Sequence, residues 1–456
     1  MALTRREVVR LMHVSPSRIY LVALGALLLS YALFDKGFAY LRLGPAFIGD
    51  VAFGFGLLCL LASGVGALTR LPLIWPLLLF MGWGALRTLP YLDSYGAEAL
   101  RDAVIWGYGA FALFVGVMLL RSGWFSSISR AFGLVVPIFL VLEPVLILVF
   151  RAVSGELQDI GPSNIRYFDI KAGDAAVHYG GIAAFLLLEV APVGGPVAAG
   201  LERIREYLLW LFWSGGALLV SAFSRGGLLA IAAAMLAASV LNPRRSRATR
   251  PVLLASAFAL CLLPLGQAVD PEGERVPSPQ QVAANAWSIL DSNSGTALDG
   301  TRLWRLEWWN EIIEYTLFGD YFWTGKGFGI NLADADGFQV TEDGSLRSPH
   351  NGHLTILARM GVPGLLIWTA LQAAFCGSLL RALARARRRG DEAWVRLDAW
   401  ILAYWLAFIV NGAFDVFLEG PQGGIWFWCV FGFGMAALAV QRKAEKDAFV
   451  PAAVSA

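Results

Sequence analysis

Long apolar runs of about 18–22 residues recur along the chain, the length a helix needs to cross a hydrocarbon core about 30 Å thick. One extended polar stretch, residues 270–353, interrupts them. The pattern predicts twelve spans, at residues 19–34, 46–68, 73–86, 102–120, 131–150, 175–191, 207–223, 227–241, 251–269, 362–380, 397–416 and 424–440. The third is short, and only Ser224-Arg225-Gly226 divides the seventh from the eighth. A β-barrel would need alternating strands of about ten residues, whereas residues 19–34 are continuously apolar. The expected architecture is therefore an all-α polytopic membrane protein. Residues 1–269 hold nine spans, 270–360 a large outer loop, 361–441 three further spans and 442–456 a tail. The first run ends at Asp35-Lys36 without a small-residue cleavage site, so it is expected to be a retained helix and not a signal peptide.

Composition agrees with this pattern. Of 456 residues 57% are hydrophobic and 15% charged, with mean hydropathy +0.61, which excludes an ordinary soluble domain. Cys59, Cys261, Cys376 and Cys429 each lie inside an apolar run. Their spacing suits neither a zinc site nor a disulfide framework, so they read as small buried hydrophobes.

The net charge of +2 is uninformative, but its distribution orients the chain. With the N-terminus inside, 22 of the 36 Lys and Arg fall on inner segments, including the dense runs at 244–250 and 385–389. Six of the other 14 lie in the long loop, where the positive-inside rule has little force. Both termini are thus expected in the cytoplasm and residues 270–353 on the outer face. The basic runs are topology anchors beside anionic lipid, not nucleic-acid patches.

Between Asp270 and Pro349 the loop has 13 Asp and Glu against 5 Arg and Lys. A helix is expected from Thr301, as N-cap, to about Thr316, with Leu303, Leu306, Ile313 and Leu317 as its apolar positions. Arg302, Arg305 and Trp309 share one face of that helix. Two guanidinium forks beside an aromatic ring suit a diphosphate; the alternative is pairing with Glu307, Glu311 or other loop acids. Thr324-Gly325-Lys326-Gly327-Phe328-Gly329 is glycine-rich, but no Ser or Thr follows Gly-Lys and no strand precedes it. It fails as a P-loop and reads as a tight turn that lets backbone approach another segment.

Ser348-Pro349-His350-Asn351-Gly352-His353 suggests a helix with Ser348 as N-cap and Pro349 at its first position, running to about Met360. His350 would then lie in the first turn, where the helix dipole keeps imidazole neutral and able to take a proton from a hydroxyl. The alternative is a capping or interfacial histidine. Arg225 sits at the outer interface, as an anchor or as a ligand for a lipid-linked phosphate. Asp50, Arg87, Asp102 and Asp415 fall near the same level, and Glu143 lies near mid-membrane, where a carboxylate is a functional candidate.

An arginine in Ser224-Arg225-Gly226, a long outer loop with Trp304-Arg305-Leu306-Glu307-Trp308-Trp309, the Gly325–Gly329 element, and Pro349-His350-Asn351 followed by Gly361 and Gly364 resemble the O-antigen ligase and polysaccharide polymerase superfamily. The resemblance is specific over residues 218–370. It implies an inverting glycosyltransferase of the multi-span GT-C type that needs neither metal nor cofactor. Such an enzyme moves a glycan from undecaprenyl diphosphate, on the periplasmic face of the bacterial inner membrane, to an acceptor hydroxyl. The acceptor would be a lipid A–core sugar in a ligase or a growing glycan in a polymerase. By the resemblance Arg225 and Arg305 hold the diphosphate and His350 is the general base or acceptor-orienting residue. Arg302, His353, Asn351 and Trp309 are further candidates for substrate binding. Trp308 and Trp309, like Arg302 and Arg305, leave the loop-arginine assignment open. A twelve-span transporter is the rival from another class, but its ligands would sit at mid-membrane between related halves.

Overall fold

The computed structural model describes residues 15–44, 46–154, 157, 166, 168–195, 200–241, 278, 281–282, 285–286 and 297–449. The expected ninth span at 251–269, the basic run at 244–250, most of 270–296 and the end of the tail lie outside the described residues. The helices are α1 (Pro16–Ala39), α2 (Ile48–Ser63), α3 (Ile74–Thr88), α4 (Ala97–Gly107), α5 (Gly109–Ser122), α6 (Phe125–Val153), α7 (Ala172–Leu187), α8 (Glu202–Phe223) and α9 (Arg225–Leu241). Then come α10 (Ala297–Ile313), α11 (Gly352–Arg388), α12 (Glu392–Gly412) and α13 (Pro421–Phe449). A two-residue antiparallel pairing, Arg42–Leu43 with Ala46–Phe47, links α1 to α2.

Among the described residues six helices are long and apolar enough to cross a membrane, or seven if α4 and α5, bent by 46° at their junction, count as one span. The chain is a polytopic helical membrane protein. Every expected span within the described residues coincides with a helix, and the fourth is the bent α4–α5 pair. α13 is 83% buried along its apolar window and α6 only 33%, so α13 runs through the bundle and α6 lies at its edge. Small residues allow the close approach. A side chain at Gly432 would meet the Ala112 carbonyl at 2.5 Å, and one at Gly434 would meet Phe375 at the same distance.

The two ends of the bundle differ. At one end Arg385 and Arg389 pair with Glu445 at 3.1 and 2.6 Å, and Arg396 pairs with Glu189 at 3.2 Å. The long loop covers the other end, and the Gly325–Gly329 turn fastens it there as its glycines suggest. Gly325, Gly327 and Gly329 all have positive φ, and side chains on them would collide with the α11 backbone, Tyr91 and Tyr95 respectively. Lys326 N donates to the Ala358 carbonyl at 2.6 Å and Arg87 Nε to the Thr324 carbonyl at 2.8 Å. Asp102, on α4, accepts from Arg359 at 2.9 Å, from Arg347 at 3.1 Å and from Gly329 N at 2.8 Å. Asp102 and Arg87 therefore hold the loop to the bundle. Asp50 instead caps its own helix, accepting from Phe47 N at 3.0 Å.

Three expectations need correction. The loop helix starts at Ala297, so Thr301 lies within it. Its buried positions are Trp308 and Ile312, packed on Leu332, Ala333, Leu357 and Ala358, while Leu303, Leu306 and Leu317 are 57%, 38% and 40% exposed. Finally, α11 begins at Gly352 with Asn351 as N-cap, whose Oδ1 accepts from His353 N and Leu354 N at 3.1 Å. It bends at Gly361 (φ +68°) and continues to Arg388 without stopping at Met360.

Candidate active site

A cavity of about 590 Å³ opens between the loop helix α10 and the ends of α6, α7, α8, α9 and α12. Arg151, Lys171, Arg225, Arg302 and Arg305 line it, and among the described residues Asp415 is the one carboxylate in its lining.

Local sequence explains how Arg225, Arg302 and Arg305 reach it. Ser224, in extended conformation, caps α9 by accepting from Gly227 N at 3.0 Å. A side chain on Gly226 would meet Phe414 at 2.8 Å, and one on Gly227 would meet Ala176 at 2.6 Å. The two glycines thus let the start of α9 nest against α7 and Phe414, with Arg225 over the cavity. On α10 the 3.6-residue period separates two faces. Trp308 faces inward, its ring stacked on Phe338 and its Nε1 donating to Asp336 at 2.7 Å. Arg302, Arg305, Leu306 and Trp309 face the cavity. Trp309, not Trp308, is therefore the tryptophan of the site. Lys326 pairs with Asp336 away from the cavity, as its failure as a P-loop lysine requires.

Arg305 donates from Nη1 to the Phe414 carbonyl at 3.1 Å. Its Nε and the Nδ2 of Asn411, another lining residue, are buried donors without a protein partner. Burial lowers the Arg305 pKa, the Arg225 charge adds to the effect and Asp415 opposes it.

α12 ends at Gly412, so Asp415 lies just past the helix, near the end of the span expected at 397–416. It forms an ion pair with Lys171 and accepts from its own neighbour's Val416 N at 2.8 Å. Burial pushes its carboxyl up, but Lys171 and His350 outweigh that and hold it below the usual carboxylate range.

His350 adjoins the cavity through Asp415, with Nδ1 3.8 Å from Oδ1, an ion-pair distance rather than a hydrogen bond. It does not lie in the first helical turn. It precedes the N-cap, with φ +53°, a left-handed conformation uncommon outside glycine. Trp309 Nε1 fixes this segment by donating to the Pro349 carbonyl at 2.8 Å. The helix-start amides are already met by Asn351, so the dipole does not account for a neutral imidazole. The pKa of His350 is nonetheless lowered, by burial first and then by the charges of Arg305 and Lys171, against the opposing Asp415.

Three further candidates are placed elsewhere. His353 accepts at Nδ1 from Trp368 Nε1 at 3.1 Å and contacts the Ile409 carbonyl through Nε2 at 3.0 Å, so both ring nitrogens are used between helices. Asn351 is spent on the helix cap. Glu143 is paired with Tyr179, whose hydroxyl donates to it at 2.6 Å. Lys171, Arg151 and Asn411 were not evident in the sequence. They enter the cavity from segments that stand out in no motif, and Lys171 meets Asp415 across 244 positions.

No match is found among curated proteins. A family model described as O-antigen ligase matches residues 210–369, a segment that contains the cap at Ser224, the arginines of α10 and His350. Over residues 210–369 the chain is thus similar to O-antigen ligases, in agreement with the resemblance of its motifs to the O-antigen ligase and polysaccharide polymerase superfamily.

Proposed function

We propose that the protein is an inverting glycosyltransferase of GT-C architecture, with about twelve spans, both termini in the cytoplasm and the loop on the periplasmic face of a bacterial inner membrane. Its donor is a glycan on undecaprenyl diphosphate, and its acceptor is a sugar hydroxyl of lipid A–core. The observation that carries this reading is the cavity where five cations converge on one carboxylate beside His350.

In this reading Arg225 and Arg305 grip the diphosphate, Arg225 from the membrane side and Arg305 from the loop. Arg302, Lys171 and Arg151 add positive charge, and Trp309 offers its ring to a sugar. The acceptor oxygen attacks the anomeric carbon, whose bond to the diphosphate oxygen breaks with inversion. The leaving electron pair stays on the undecaprenyl diphosphate, stabilised by the arginines. The hydroxyl proton passes to the neutral imidazole of His350, and Asp415 supports the resulting imidazolium. The 3.8 Å gap to Asp415 suits a base that tightens its hydrogen bond once substrate is bound.

A polymerase, with a growing glycan as acceptor, would use the same groups. Purified protein given undecaprenyl-diphosphate glycan and either lipid A–core or free repeat units separates the two. Transfer to neither, with folded protein, refutes the proposal.

A further inference from the structure

A second cavity, of about 740 Å³, shares no lining residue with the first and lies between α1, α6 and the core helices α7, α12 and α13. Its walls are apolar and aromatic. Its mouth faces the edge of the bundle: Val22 on the rim is 60% exposed, and a side chain built at Gly25 would meet nothing within 4 Å. The lining on α1 runs from Leu21 to Ala32, about 16 Å of helix, close to one leaflet's half of a hydrocarbon core about 30 Å thick. The groove is thus as deep as one lipid chain is long.

The end of this groove away from the cationic cavity is built for an anionic head. Trp124 lines it, and the exposed Arg18, one turn below Leu21 and Val22 on α1, lies over the Trp124 ring at 5.2 Å. Arg18 donates to the Ser122 carbonyl at 3.3 Å, and exposed Arg130 follows on α6 close to Ser127. No carboxylate among the described residues pairs with Arg18 or Arg130. Arginine beside tryptophan at the interfacial end of an apolar helix is the arrangement that meets lipid headgroups.

We infer that the groove holds an acyl chain of an anionic phospholipid from the leaflet at the basic end of the bundle, its phosphate at Arg18 and Trp124. The site is separate from the proposed catalytic cavity and does not depend on that cavity's function. The lipid would fill this gap between α1 and the core, and would support the helices that carry Asp35 and Lys171 at their far ends.

The test uses the full chain in bilayer discs of mixed phosphatidylglycerol and phosphatidylcholine, with retained lipid counted by native mass spectrometry. Wild type is expected to keep one phosphatidylglycerol. Gly25→Phe, which places a ring in the groove, should lower that retention about tenfold. Arg18→Gln should leave a lipid bound but cut the preference for phosphatidylglycerol about fivefold. Arg18 is exposed, so this second variant keeps the test decisive if the first does not fold. An unchanged preference for phosphatidylglycerol in Arg18→Gln overturns the inference. So does a lipid displaced by undecaprenyl phosphate with no dependence on Arg18, which would give the groove to an isoprenoid chain.

Discussion

Asp415 stands between Lys171 and His350, joined to the ammonium by an ion pair and 3.8 Å from the imidazole Nδ1. One carboxylate thus ties the start of α7 to the segment before α11, and it faces the cavity that the arginines line.

His350→Ala should reduce transfer by about 10²–10⁴-fold, the usual share of general-base catalysis, while the protein still inserts. In the wild type the lowered pKa of His350 keeps the base unprotonated below the ordinary imidazole value of about 6.5. The rate should therefore hold level from pH 8 through that value and fall only at lower pH. Asp415 raises the pKa of His350, so Asp415→Asn should move the acid limb further down while lowering the plateau. A pH–rate profile of both proteins checks the sign; an acid limb that moves up in Asp415→Asn refutes the pairing.

Arg305→Ala removes the guanidinium whose Nε is buried without a partner. A loss of about 10²–10³-fold in kcat is expected if that group meets the leaving diphosphate. Arg302→Ala, on the same helix face, should mainly raise KM for the donor. Steady-state kinetics with varied donor distinguish the two, and an equal effect of both on KM alone would rule out the assignment.

Asp102→Asn should destabilise the protein by about 3–5 kcal/mol, because it leaves the buried Arg359 without its ion-pair partner, while Arg347 keeps Glu98 at 3.0 Å. Gly325→Ala should destabilise by about 1–3 kcal/mol or more, since its Cβ would lie 2.4 Å from the Arg359 backbone at φ +59°. Thermal denaturation in one detergent gives both values.

Glu419 follows α12, and burial raises its carboxyl to about 7, although Arg359, Thr355 and Ser348 pull it back. The folded state then holds a proton that the unfolded chain releases near the ordinary glutamate value of about 4.5. Stability is expected to be fullest below 4.5 and to decline as pH rises towards 7. Glu419→Gln should flatten that part of the profile, read as Tm against pH.

Sidedness can be read with a thiol probe. Ser348 is only 2% exposed and unsuited to labelling, whereas Val340 is 68% exposed on the loop. Val340→Cys should react with an impermeant reagent from the periplasmic side; reaction from the cytoplasm alone would invert the proposed topology.

Much of the bundle was legible because a span must be apolar for about 20 residues, a signal few other constraints can mimic. The cationic face of α10 was legible for a related reason: residues three and seven apart share a face whatever surrounds them. The apolar face of the same helix was misread, since Leu303 and Leu306 are exposed while Trp308 and Ile312 form the core. Near a membrane, apolar character does not by itself mark the protein interior. The cap at Asn351 was missed because Ser348-Pro349 is an equally good start, and the choice depends on Trp309 holding the Pro349 carbonyl. Lys171 was invisible because its partner lies across the fold.

The histidine segment and the basic run are two ends of one long element. α11 has 37 residues, about 55 Å of rise along its two limbs, and Arg385 near its far end is fastened to Glu445. Its lower limb is thereby indexed to one bilayer surface, and the Gly325–Gly329 clasp stiffens its bend. On the proposed function the protein would then work as a gauge of fixed length, meeting only those phosphates that a membrane of matching thickness presents at the height of His350.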